Sequence, residues 1–202
     1  MYLILFITIL ISFIIYIYHG KKYIKYDNFN KNRLIIVISK QVSRNMYYQY
    51  KKILGDDIVF ISDKYPTILK KNIFFYKSHD VIKKGFTNMH SKYICSAWDK
   101  AIYHISLNKN YNYYWIIEDD VYMKNIIPNF DNIDCDFMIF SWDKKHGDKW
   151  PHWNKGLPYF EKRYLSSSLN QITRLSGNMI NHILNFKSKY NSLLFHEILF
   201  LS

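Results

Sequence analysis

The sequence predicts an α/β domain, with a mostly parallel central sheet flanked by helices, carried behind one amino-terminal transmembrane helix. Three observations lead there. Continuous β-branched runs such as RLIIVIS (Arg33 to Ser39) read as strands buried on both faces, as in parallel sheets. Stretches with helical spacing alternate with those runs. An uncharged run, YLILFITILISFIIYIY, occupies Tyr2 to Tyr18.

That run is broken only by Thr8 and Ser12. At a rise of about 1.5 Å per residue it just crosses the hydrocarbon core of a bilayer, and its terminal tyrosines suit the two interfaces. No basic stretch precedes it and no small-x-small site follows, so an anchor is expected rather than a cleaved signal peptide. Lys21, Lys22, Lys25, Lys31 and Arg33 follow on its carboxyl side, which predicts a single-pass protein with its domain on the cytosolic side. The absence of any N-x-S/T sequon agrees with this, and the lumenal orientation is the alternative. The expected organisation is an anchor at 1–20, a linker at 21–32 and one domain at 33–202.

Within the domain the elements follow in order. After the first strand, Val42 to Leu54 places Val42, Met46, Tyr50 and Ile53 at helical spacing, and Gly55 supplies a stop. DIVFIS (Asp57 to Ser62) is a second strand, ended by Asp63 and Pro66, and IFFY (Ile73 to Tyr76) a shorter third. His90 to Leu107 predicts an amphipathic helix with Ile94, Ala97, Trp98, Ala101, Ile102 and Ile105 on one stripe. YYWII and DFMIFSW (Asp136 to Trp142) are further strands. Ser168 is the expected cap of a last helix running to about Phe186, striped by Leu169, Ile172, Leu175, Met179, Ile180 and Ile183.

The formal net charge of +12 points to anionic partners. The cations come as scattered pairs with no zinc-finger spacing, so nucleic acid ranks below a nucleotide-like ligand. The two cysteines, Cys95 and Cys135, read as free thiols in a reducing compartment. Neither a G-x-G-x-x-G nor a G-x-x-x-x-G-K-[ST] loop occurs.

Against that basic background, Glu118, Asp119 and Asp120 stand consecutively at the carboxyl end of a strand, where α/β sheets gather ligands. In an extended chain Glu118 and Asp120 would share one side and Asp119 would face the other. Neighbouring carboxylates repel unless a cation or a shared proton lies between them. Mg²⁺ or Mn²⁺ relieves that repulsion and keeps coordination positions open for nucleotide phosphates. The plain alternative is a solvated turn with Lys124 as counter-ion.

WIIEDDVYM, following a helix with Ala97, Trp98 and Ala101, resembles the central segment of nucleotide-sugar glycosyltransferases of the GT-A, Rossmann-like fold. The likeness is to the β-1,3-galactosyltransferase-like and related viral or bacterial groups, where a hydrophobic-hydrophobic-[DE]-D-D-V strand holds a divalent metal against the donor diphosphate. The resemblance follows the order of elements from about residue 33 to 200 and is specific only at Glu118 to Val121. It implies metal ligation by Glu118 and Asp120. It also makes His196, in the late FHEILF segment, a possible third metal ligand, and Glu197 an acceptor-binding group or base. The domain is short for this family, so a minimal or truncated member is expected.

Ser39 and Arg44 would then meet the donor diphosphate, Asp63 the nucleotide base or ribose, and Asp119 the ribose or backbone donors. Asp143, at the next carboxyl end along the sheet, is the first choice of general base, with Glu197 second. The expected reaction moves a sugar from a nucleoside-diphosphate sugar to a hydroxyl of a glycan, protein or lipid acceptor. Two other readings stay open. One is a catalytically inert domain of the same fold that binds glycan or anionic lipid; the other is a metal-dependent nuclease or phosphotransferase.

Overall fold

The computed structural model describes residues 32–55, 58–87, 95–121, 133–143 and 167–193, and only the backbone of 140–143 and 167–170. The expected anchor at 1–20 and the expected linker, apart from Asn32, lie outside these residues. Among the described residues no helix is long and apolar enough to cross a membrane.

The order of elements is β1 (Arg33–Ser39), α1 (Arg44–Leu54), β2 (Ile58–Ser62), β3 (Ile73–Phe75), α2 (Ser78–Lys83), α3 (Ala97–Leu107), β4 (Tyr113–Glu118), β5 (Phe137–Asp143), β6 (Ser167–Ser176) and α4 (Gly177–Tyr190). The strands form one sheet in the order β3-β2-β1-β4-β6-β5. The first four run parallel, Ile36 standing beside both Val59 and Ile116. β6 is reversed against β4 and β5, with Tyr113 opposite Ser176 and Asp143 opposite Ser167.

Alternation along β1 divides the core in two. Leu34, Ile36 and Ile38 face the layer of α2, α3 and α4, where Val81, Ala101, Ile105, Ile180 and Ile183 are buried. Ile35 and Val37 face α1, against Val42, Tyr47 and Tyr50. A strand apolar at every position from Leu34 to Ile38 is the sequence trace of this two-sided burial.

Local chemistry sets the helix ends. Ser43, Ser96 and Ser176 each accept the N–H three residues on, satisfying a donor that has no partner within its helix. At Ser96 the box is complete, because Asp99 accepts from the Ser96 backbone N–H at 2.7 Å. Gly55 stops α1 at a positive φ of 87°, a conformation only glycine adopts without cost.

The structure departs from the sequence reading in four places. Residues 167–176 form β6, and the last helix begins at Gly177 under a Ser176 cap, eight positions after the expected cap at Ser168. Leu169, Ile172 and Leu175 fit a helical stripe by spacing, but β4 needs a partner on its outer edge, and every residue from Ile172 to Ser176 is buried. The helix expected from His90 begins only at Ala97, since Ser96 caps it and Cys95 precedes it in non-helical backbone. The short α2 was not anticipated. β5 does not adjoin β4, because β6 lies between them.

Candidate functional site

The chain leaves β1 towards β2 and leaves β4 towards the opposite edge, so the carboxyl ends of these neighbouring strands form a topological switch point, where open α/β sheets bind ligands. Three of the sequence-selected residues meet there. Ser39 ends β1, and its hydroxyl donates to Asp119 Oδ2. The Ser39 carbonyl accepts the backbone N–H of Asp63 at 2.8 Å. One buried serine therefore joins the ends of β1, β2 and β4.

The acidic run is not extended. β4 stops at Glu118, and the Val121 N–H returns to the Glu118 carbonyl at 3.3 Å, so Asp119 and Asp120 occupy the centre of a turn. The expected sharing of one face by Glu118 and Asp120 therefore fails, for want of the extended backbone it assumed. Glu118 Oε1 accepts the indole N–H of Trp98 at 2.7 Å, Asp119 turns to Ser39, and the Asp120 side chain stands exposed. Burial raises the Glu118 pKa, the Trp98 hydrogen bond opposes that rise, and Asp120 and Asp119 add to it.

Residues not singled out as functional from the sequence hold this arrangement. Tyr50 on α1 shares its hydroxyl proton between the carbonyls of Glu118 (3.2 Å) and Val121 (2.9 Å), pinning both ends of the turn. Its pKa is pushed up to about 12, by burial first and then by Asp119 and Asp120. Lys100, fully buried, donates to Asp63 Oδ1 at 2.7 Å and to the Asp63 carbonyl at 2.9 Å. The first turn of α3 thus reaches Glu118 through Trp98 and Asp63 through Lys100, on either side of β1. Trp98 had been assigned to the apolar stripe, yet a buried indole N–H needs an acceptor, and the nearest acidic strand end was the available signal.

Other candidates fall differently. Arg44 is exposed at the start of α1. The Asp143 backbone ends β5 at the same end of the sheet, two interstrand spacings or roughly 10 Å across from β4. It stands opposite Ser167, whereas β4 is last paired at Ile117 opposite Ile172, so β5 also runs on past the end of β4 and carries Asp143 away from the carboxylate turn. His196 and Glu197 lie outside the described residues. Cys95 is buried and free, its thiol pushed up to about 12 chiefly by burial, so it is protonated and a poor nucleophile.

Among the described residues no three His, Cys, Asp or Glu side chains converge as a ready metal cage. The two carboxylates of the turn nonetheless suit a hard cation of the Mg²⁺ type, which takes one or two carboxylates and completes its shell with phosphates and water. Asp119 gives one oxygen to Ser39 and keeps the other, and Asp120 faces solvent.

No family model matches the chain, and no curated protein or solved structure shows significant similarity to it.

Proposed function

We propose that the chain is a membrane-anchored glycosyltransferase of GT-A type, moving a sugar from a nucleoside-diphosphate donor to a hydroxyl acceptor. The observation that carries the reading is the Ser39–Asp119 hydrogen bond, which sets a carboxylate turn at the switch point between β1 and β4. A bound Mn²⁺ or Mg²⁺ would supply charge neutralisation of the leaving diphosphate.

Each side chain then has a defined task. Asp119 and Asp120 would offer carboxylate oxygens to the cation, and Ser39 fixes the direction of the first. Glu118, engaged by Trp98, braces the turn from below. Asp63, neutralised by Lys100 yet about a third exposed, offers acceptor capacity to hydroxyl or N–H donors of the nucleoside. Asp143 is the proposed base for the acceptor hydroxyl, with Glu197 second. The anchor at residues 2–18 would keep the domain at the cytosolic face of a membrane.

Calorimetric titration of UDP and GDP with and without Mn²⁺ tests the reading. Asp120→Asn keeps the shape and removes the charge, so nucleotide affinity in Mn²⁺ is expected to fall at least tenfold, about 1.4 kcal/mol. Metal-independent binding that is equal in wild type and variant, or no nucleotide binding at all, would reject the transferase and leave the inert domain as the better description.

A further inference from the structure

α1 and the loop from β2 to β3 form one surface with an unusual charge balance. Residues 40–55 and 64–72 hold Lys40, Arg44, Lys51, Lys52, Lys64, Lys70 and Lys71. The one carboxylate among the described residues of the loop, Asp63 at its start, is paired with the buried Lys100 at 2.7 Å, and Asp56 and Asp57, after α1, lie outside the described residues. All of these cations except Lys51, which lies over the Tyr47 ring, are exposed. Four large apolar or aromatic side chains stand out among them: Tyr48 (53% exposed), Ile53 (37%), Tyr65 (62%) and Leu69 (69%).

The two segments are fastened together. Lys64 N–H donates to the Lys40 carbonyl at 2.7 Å, and Thr67 N–H to the Val42 carbonyl at 3.0 Å. Gln41 Nε2 donates to the Tyr65 carbonyl at 2.8 Å, and the Tyr47 hydroxyl to Asn72 Oδ1 at 3.2 Å. Beneath them Ile68 packs into the same core as Tyr47 and Tyr50, so its neighbour Leu69 is left facing out. This loop is firmly tied, and its apolar side chains are displayed outward.

We propose that this surface docks on an anionic phospholipid leaflet. Lysine and arginine in excess, with the loop's Asp63 already neutralised by Lys100, complement phosphatidylserine-type headgroups, while tyrosine, leucine and isoleucine among them suit the headgroup–acyl boundary. A nucleic acid would use the cations but would leave Ile53 and Leu69 without a partner. The uncharged run at residues 2–18 would hold the domain within reach of the same membrane. The inference stands independently of the transferase reading, since it uses neither the carboxylate turn nor a nucleotide.

The test uses the full chain reconstituted into vesicles of phosphatidylcholine, alone or with roughly a third phosphatidylserine, and follows amide hydrogen exchange in the 64–72 segment. Each lysine at an anionic surface strengthens attachment about fivefold, so exchange is expected to slow several-fold in the anionic vesicles and to recover at high salt. The Lys52→Glu, Lys70→Glu, Lys71→Glu triple variant should lose the protection, and Leu69→Ser should weaken it at unchanged charge. Because these positions are exposed, unchanged exchange in β1 and β4 is the expected control for folding. Equal exchange in both lipids, protection that survives charge reversal, or stronger protection by a duplex oligonucleotide than by anionic vesicles would overturn the proposal.

Discussion

Asp119 owes its direction to a hydroxyl on a different strand, and that dependence is measurable. Removing the Ser39 hydroxyl takes a donor from a carboxylate and an acceptor from the Gln41 N–H, which it meets at 3.1 Å. Ser39→Ala is therefore expected to lower stability by about 1–2 kcal/mol in denaturant melts. On the proposed function it should also weaken Mn²⁺-dependent nucleotide binding, with a smaller loss than Asp119→Asn. Trp98→Phe tests the other brace. The indole hydrogen bond holds the Glu118 pKa down against burial, so its loss should drive that pKa higher still, as read by carboxyl carbon chemical shifts during an NMR titration. An unmoved Glu118 titration would mean that the indole contributes only packing.

α3 is the element on which burial and ionisation compete most openly. His104 is buried, hydrogen-bonded to the Tyr76 hydroxyl at 2.7 Å, and its pKa is lowered by burial from 6.5 to about 4. As pH falls from 6.5 towards 4 the unfolded chain takes a proton there that the folded one refuses, so this histidine reduces stability on acidification. Asp99 does the reverse. Burial raises it from 3.8 to about 6 against the pull of its Ser96 hydrogen bonds, so over that window the folded chain takes the proton first and gains stability as pH falls. Each effect is worth up to roughly 3 kcal/mol, and between about pH 4 and 6 they oppose one another. Melts across that range should show Asp99→Asn gaining stability with rising pH and His104→Gln losing it; parallel curves would reject the opposition. The same helix shows how far the sequence could be read. Its apolar stripe was legible because 3.6-residue periodicity survives in residue order, and so were the parallel strands, which are apolar on both faces. The acidic strand end was legible too. The turn at Asp119–Asp120, the Lys100–Asp63 pair and the Tyr50 hydroxyl were not, because each depends on where a distant element comes to rest. β6 was misread for a related reason: spacing of three satisfies a helix, and only the unpaired edge of β4 decides for a strand.

At the scale of the whole molecule, Arg174 carries the consequence of that strand placement. Fully buried on β6, its guanidinium lies over the Tyr113 ring at 4.3 Å and donates to the Ile133 carbonyl and, at 3.2 Å, to Cys135 Sγ, tying the approach to β5 across the sheet. Arg174→Lys keeps the charge but lacks the planar fork, so a loss of about 2–3 kcal/mol is expected in denaturant melts, with exchange of the 133–136 amides rising. A near-neutral Arg174→Lys would show that charge alone suffices. The reversed strand also governs when the molecule can be completed during synthesis. β1, β2 and β4 are all made before Ile172 and Leu175 exist to cover the outer edge of β4, where Tyr114 to Ile117 find their partners. A ribosome-bound chain that has passed Glu118 but not Ser176 exposes an open, aromatic-rich strand edge, the kind of edge on which chains cross-pair and aggregate. The long-range closure by β6 is thus a checkpoint in time, and slowing translation between residues 143 and 167 should raise the demand for chaperones and the yield of insoluble protein, without altering the stability of the molecules that finish.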